Sequence, residues 1–232
     1  AAHFNKLVMI SFALLYTPLA ARLFAKNDFQ GINDLYWRTA VWLGILTFPI
    51  FALTCSMAKP LTLFLYGERY ADSWFYLQLI SFGYYFSAAL GFNGLTLKVL
   101  GKLRYIVTIN ILAVIVNVGV NLLLIPKYGA LGAAIGTGGT MVVHNIFKQY
   151  GLRLASGISI FDRQYLPFYL IIAGSATILF LLTLFFAENI YIAVALVVLA
   201  SVLVLRLCKH KLNVEETFPE ILKLPFMKKL LT

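Results

Sequence analysis

Seven stretches of this chain run for roughly twenty residues without an acidic side chain, the length that a helix needs to cross the hydrocarbon core of a bilayer. They are Phe4–Ala21, Ala40–Met57, Trp74–Leu97, Tyr105–Ile125, Ala130–Phe147, Pro167–Phe186 and Ile190–Cys208. Their only Lys or Arg residues, Lys6 and Arg206, fall near segment ends. No segment alternates apolar with polar, as the strands of a membrane barrel do. A backbone in lipid must satisfy its own hydrogen bonds, so the segments are read as helices. The expected fold is all-α: a polytopic transmembrane helical bundle of about seven spans over residues 1–208, followed by a basic tail at 209–232. The first span is the weakest, with Asn5 and Lys6 near one end and Pro18 near the other. A bundle tolerates proline there.

Composition excludes the other classes. Apolar residues make up 61% of the chain and charged residues 12%, about half the charged share of ordinary soluble domains. The mean hydropathy is +0.87. A soluble domain has too little polar surface to cover so much apolar material, and disorder needs the opposite composition. Nineteen Lys and Arg against nine Asp and Glu leave a net charge of +10. In a soluble chain that excess would suggest nucleic acid. Here no basic run is interleaved with stacking aromatics outside the apolar segments, and no nucleic-acid partner is expected.

The basic excess is a topology signal instead. Arg22, Lys26, Arg38, Lys98, Lys102, Arg104, Lys148, Arg153, Arg163, Arg206, Lys209, Lys211, Lys223, Lys228 and Lys229 fall on one side of the alternating spans. Only Lys6, Lys59, Arg69 and Lys127 fall on the other. The larger set is expected to be cytoplasmic, which puts the start of the chain outside and its C-terminus inside, at the cytoplasmic (inner) cell membrane. Trp37 and Trp42 at the inner start of the second span, and Trp74 at the outer start of the third, are expected as interfacial anchors. Cys55 and Cys208 fall towards opposite faces and are expected as unpaired, inert thiols. The chain opens Ala1-Ala2-His3, and an odd number of spans beginning outside is awkward for a whole protein. A preceding N-terminal lobe is therefore expected.

The connections are read as follows. Arg22–Arg38 mixes polar and apolar residues and reads as a short interfacial helix on the cytoplasmic face, with Asn27 or Asp28 as a cap. Ala58–Ser73 is an outer loop with Tyr66-Gly67-Glu68-Arg69-Tyr70. Pro126–Gly129 and Ala187–Asn189 are tiny outer loops. The tail from Lys209 is attracted to anionic lipid.

No acid lies inside a span: the nine are Asp28, Asp34, Glu68, Asp72, Asp162, Glu188, Glu215, Glu216 and Glu220. Intramembrane carboxylates are the usual marks of proton relays and cation sites. No cofactor or metal is expected, and any H⁺ or Na⁺ coupling would rest on carbonyls and amides or on acids outside this chain. The polar span residues are the candidates. Asn110, Asn117 and Asn121 share one helix face, because spacings of seven and eleven residues each close within about 20° of whole turns. They are read either as a cavity wall that hydrogen-bonds sugar hydroxyls or a head group, or as glue between helices. Both readings face the stripe inward. Gly132, Gly136 and Thr140 form a small-residue stripe for close helix packing. His144 and Asn93 are further cavity candidates near inner span ends, His144 alternatively being a bonded packing residue. Lys98, Lys102 and Arg104 either meet a phosphate at a cytoplasmic entry or only set topology. No nucleophile–base pair or paired carboxylates emerge, so no enzyme is expected.

The run Asn117-Val118-Gly119-Val120-Asn121-Leu122-Leu123-Leu124-Ile125-Pro126-Lys127-Tyr128-Gly129-Ala130-Leu131-Gly132-Ala133-Ala134 resembles the hallmark of polysaccharide biosynthesis proteins. These are the lipid-linked oligosaccharide (O-antigen-type) flippases of the MATE-like MOP exporter superfamily. Thr17–Ala25, Phe48-Pro49-Ile50 with Leu65–Tyr70, and the basic loop Lys98–Arg104 resemble other parts of that family in the same order. The resemblance covers roughly Thr17–Tyr150 and implies one lobe, spans eight to fourteen, of a fourteen-helix transporter. It implies alternating access without covalent chemistry and a polyprenyl-diphosphate-linked oligosaccharide as cargo. The partners would be the bilayer, that cargo and the N-terminal lobe of the same protein. Asn117 and Asn121 are its motif positions. The family's basic cavity residues have no counterpart within these spans. A cation-coupled multidrug exporter or a lipid II flippase of the same superfamily is the alternative. A membrane polysaccharide polymerase or ligase, or a purely structural subunit, are further ones.

Overall fold

The computed structural model describes residues 5–158, 163–186 and 189–212. Most of the expected basic tail, from Asn213 on, lies outside them, as do Asp162 and Glu188. Among the described residues every regular element is a helix: α1 Asn5–Ala25, α2 Phe29–Phe51, α3 Ala58–Tyr66, α4 Trp74–Ala89, α5 Asn93–Val99, α6 Leu103–Tyr128, α7 Ala130–Ser156, α8 Leu166–Phe186 and α9 Ile190–Leu212. The protein is an all-α helical bundle. Among the described residues, six helical segments are long and apolar enough to cross a membrane. The remaining expected span, the third at Trp74–Leu97, is the pair α4 and α5.

Helix α2 is the hub. Ile32, Tyr36, Trp37, Ala40, Val41, Leu43 and Phe48 are fully buried along it. It packs against α1, α4 and α9. Helices α1 and α6, by contrast, leave Leu14, Leu15, Ile115, Leu122 and Leu123 exposed. Lipid tails are as apolar as leucine, so such faces carry no penalty in a bilayer. What holds helices together there is close packing and interhelical hydrogen bonding.

Several expectations are corrected. Arg22–Arg38 is not a separate interfacial helix. Arg22–Ala25 is the last turn of α1, and Phe29–Arg38 opens α2. The polar residues between them make a tight turn: Asn27 takes a left-handed φ of 57°, and the Asp28 carboxylate caps α2 by accepting from Gly31 N–H at 2.7 Å. Such a cap satisfies one of the N–H groups that a helix start leaves free. Trp37 and Trp42 are not interfacial anchors, since both are buried. The Trp37 ring stacks on Tyr165, with centroids 5.3 Å apart, and meets Tyr36 edge-on at 5.2 Å. Trp74 is half-buried at the start of α4.

The expected outer loop Ala58–Ser73 is helical as well, as α3 and a 3₁₀ turn at Glu68–Ser73. It is preceded by a π-helical stretch at Ala52–Ser56. Pro49 supplies no N–H for the carbonyl four residues earlier, and the ladder widens just beyond it. The expected loop Pro126–Gly129 shrinks to one residue. Gly129, at φ 55°, alone joins α6 to α7. Finally, α9 continues past the expected end at Cys208 to Leu212.

The largest departure is in the third span. Trp74–Leu97 is not one helix: α4 stops at Ala89 and α5 starts at Asn93. Gly91 between them has φ 69°. A Cβ on Gly91 would lie 2.9 Å from the Ala40 Cβ of α2. The chain turns there because glycine alone reaches that φ cheaply and also admits the α2 backbone.

Candidate functional site

The break between α4 and α5 gathers the polar groups of the bundle. A helix end leaves carbonyls without helical donors, and within lipid there is no water to serve them. Two tyrosines from other helices take that role. Tyr169 of α8 donates its hydroxyl to the Ala89 carbonyl at 3.0 Å. Tyr36 of α2 reaches the Leu90 carbonyl and lies 2.6 Å from the Gln149 amide oxygen of α7. A hydroxyl has one proton, so Tyr36 serves one of these acceptors at a time. Turning the Gln149 amide lets its N–H donate to the Tyr36 oxygen instead. One turn away, Tyr16 of α1 and Thr96 of α5 share a hydrogen bond of 2.5 Å.

Asn93 opens α5 and is buried. Its amide nitrogen donates to the Asn145 side-chain oxygen at 3.3 Å, and its own oxygen accepts from Gly94 N–H at 2.7 Å. Ser87 of α4 donates to the same Asn145 oxygen at 3.4 Å. Next to this cluster the half-buried Lys148 lies across Gly94: a Cβ on Gly94 would be 3.8 Å from the Lys148 Nζ. Lys98, Lys102 and Arg104, at the end of α5 and the start of α6, are exposed.

The asparagine stripe lies elsewhere, in the seam between α6 and α7. Asn117 donates to the Gly136 carbonyl at 3.4 Å, and Asn121 donates to the Asn117 side-chain oxygen at 3.0 Å. Asn110 and His144 are 2.9 Å apart. Thr140 donates to the Gly136 carbonyl at 2.7 Å. The stripe faces the neighbouring helix, in the geometry of interhelical glue. The Asn121 side-chain oxygen is buried without a partner. Gly132 and Gly136 admit α6: a Cβ on Gly132 would strike the Leu124 carbonyl, and one on Gly136 would come within 2.5 Å of the Asn121 oxygen. On another face of α7, Gly138 meets Gly83 of α4 at 3.1 Å from the position of a Gly83 Cβ.

A cavity of about 500 Å³ opens between α2, α4 and α8. Phe51, Tyr85, Phe86, Tyr169, Ile172 and Phe180 are among its walls, and none of the candidate asparagines is. Among the described residues no cluster of His, Cys, Asp and Glu has the makings of a metal site. Cys55 and Cys208 are both free thiols.

The structure thus brings Asn93 together with Asn145, and it ties Asn110 to His144. It leaves Lys102 and Arg104 at the surface. Tyr36, Tyr169, Gln149 and Lys148 carry no mark of this site in the sequence. The signal for the break is present in Gly91-Phe92-Asn93-Gly94, a cluster of helix-breaking residues inside an apolar run. Compared with family models, with curated proteins and with solved structures, the chain matches none.

Proposed function

We propose that this chain is one lobe of a membrane transporter that flips a polyprenyl-diphosphate-linked oligosaccharide, of the O-antigen or exopolysaccharide kind, across the cytoplasmic membrane. It acts by alternating access, with no covalent step. The observation that carries this reading is the α6–α7 hairpin. The stretch Asn117–Ala134, on which the family resemblance rests, supplies both sides of that seam: Asn117 and Asn121 on α6, Gly132 on α7. The glycine faces of α7 towards α6 and α4 support it further, because smooth contacts allow packed helices to slide in small steps. Lys98 and Lys148 place cations that a diphosphate could use at the end that the charge count assigns to the cytoplasm.

The test is leaflet placement of labelled lipid-linked oligosaccharide in a deletion strain free of paralogues. The label is expected to collect on the inner leaflet, and normal outer-leaflet delivery would overturn the reading. Loss of drug efflux with intact glycan delivery would favour the multidrug-exporter alternative. Replacing Lys98 and Lys148 together by Gln is expected to lower delivery roughly tenfold or more, since each charged hydrogen bond contributes about 1.5–3 kcal/mol.

The orientation has its own test. In a background with Cys55 and Cys208 changed to Ser, a membrane-impermeant maleimide on intact cells should label Lys127→Cys and leave Lys102→Cys unlabelled. The reverse pattern would invert the topology.

A further inference from the structure

The cavity between α2, α4 and α8 is long, uncharged and polar at one end. Along α4 its walls run from Gln78 to Ala89, a rise of about 16 Å at 1.5 Å per residue. Midway, Phe51 and Tyr85 stack with ring centroids 4.0 Å apart. Helices α2 and α4 run in opposite directions, so Ser56, beyond Phe51, and Gln78, before Tyr85, lie towards the same end. Ser56 donates to the Ala176 carbonyl at 2.9 Å, which brings Thr177 of the cavity wall to that end as well. Leu90 and Leu166 belong to the other end.

The polar groups differ in what they have left to offer. Four wall hydroxyls have spent their protons on carbonyls: Ser56, Thr177 on Ala173 at 2.8 Å, Tyr85 on Gly44 at 3.0 Å and Tyr169 on Ala89. Their oxygens can only accept. Gln78 is the exception. Among the described residues its side-chain amide has no hydrogen-bond partner, and an unserved amide is costly where water is excluded. Among the described residues on the walls none is charged, Lys59 and Asp72 lining a neighbouring space instead. A charged ligand would therefore lose its hydration for no counter-charge.

The walls also define the body of the ligand. Phe82 follows Gln78 by one turn, and Phe86 and Phe180 add further rings. Such walls favour an aromatic ring, packed offset or edge-on. The volume of about 500 Å³ falls within the range of about 300–1,000 Å³ that bound small molecules fill. Ala173 and Thr177 on the wall are exposed, which leaves the cavity open to a ligand dissolved in the bilayer.

We propose that this cavity binds an uncharged lipophilic phenol taken from the bilayer. Its hydroxyl exchanges hydrogen bonds with the Gln78 amide, its ring packs beside Phe82, and its alkyl tail runs towards Leu90. The site is separate from the asparagine seam and does not depend on the cargo.

The test is photolabelling of the full chain in nanodiscs with 4-octylphenol carrying a diazirine in its tail, the labelled residues being mapped by peptide mass spectrometry. Label is expected on the α4 and α8 walls, at Tyr85 and Ile172. Competitors are compared at equal mole fraction in the membrane. Unlabelled 4-octylphenol should block labelling about fivefold better than its methyl ether, the ratio for one neutral hydrogen bond, and better still than 4-octylbenzenesulfonate. Gln78→Leu should keep the label and bring phenol and ether level. Ala173→Phe, which fills the cavity, should abolish the label, whereas Gly174→Phe, off the cavity wall, should leave it. Label confined to other residues, or label that persists in Ala173→Phe, would overturn the site. Equal blocking by the ether, or an unchanged phenol preference in Gln78→Leu, would overturn the role of Gln78. Equal blocking by the sulfonate would overturn the selection for an uncharged ligand.

Discussion

Gly132→Leu should strip α6 from the bundle, whereas Gly139→Leu, seven residues further along the same helix, should leave its stability nearly unchanged. The two glycines differ only in what a side chain would meet. Gly132 is buried, and a Cβ there would strike the Leu124 carbonyl of α6, a backbone group that cannot turn aside. Gly139 is exposed, with nothing near its Cβ position. Overpacking a helix contact costs about 1–3 kcal/mol, and more where backbone meets backbone. In a chain of this size a loss of about 3 kcal/mol lowers the melting temperature by roughly 6–12 °C. Gly136 refines the point, because its obstacle is the Asn121 side-chain oxygen. Gly136→Ala should be largely rescued by Asn121→Ala, while no side-chain trimming on α6 rescues Gly132→Ala. Thermal unfolding in detergent measures all of these. Equal melting of the Gly132 and Gly139 variants would refute the seam.

Helix type and approximate span positions are legible in the sequence because lipid leaves few alternatives. Leu103–Tyr128 and Leu166–Phe186 contain the expected Tyr105–Ile125 and Pro167–Phe186 with small shifts at their ends. Burial within the bundle is not legible. Trp37 sits on the same apolar run as a lipid-facing tryptophan would, and only its stacking on Tyr165 assigns it to the core. Apolarity cannot separate a helix face that meets lipid from one that meets protein. Polar punctuation misleads for a related reason. Lys26-Asn27-Asp28 has the composition of an amphipathic segment but is a capped turn, because its one strong local bond, Asp28 to Gly31, spans three residues.

The site is half legible. The inward face of Asn110, Asn117 and Asn121 follows from helical periodicity, and the structure turns that face to α7. Lys148 counts only towards topology in the sequence, since nothing there places it over Gly94, more than fifty residues away. Nor can the tyrosines at the break be found, as Tyr36, Ala89 and Tyr169 belong to three different helices. A hydroxyl that serves a carbonyl of another helix leaves no local pattern.

That arrangement leads to the second large effect. Tyr36→Phe with Tyr169→Phe should destabilise the protein far more than Tyr105→Phe, although each change removes one hydroxyl per ring. The Tyr36 and Tyr169 hydroxyls serve Leu90 and Ala89, whose carbonyls lie at the end of α4. Each buried acceptor left unserved costs about 1–3 kcal/mol. The Tyr105 hydroxyl donates to the Phe147 carbonyl at 2.8 Å, inside α7, where the helical ladder already supplies a donor. Its loss should cost under about 1 kcal/mol. Gly91→Ala should compound the damage at the same place. It adds a Cβ at a φ of 69°, a left-handed conformation that costs an ordinary residue about 1–2 kcal/mol. It also drives that Cβ within 2.9 Å of Ala40. Ala40→Gly should relieve the clash and leave the backbone strain, so rescue should be partial. Full rescue would mean that the φ of Gly91 is not needed. Equal loss in the Tyr36/Tyr169 and Tyr105 variants would mean that the tyrosine hydroxyls do not hold the break.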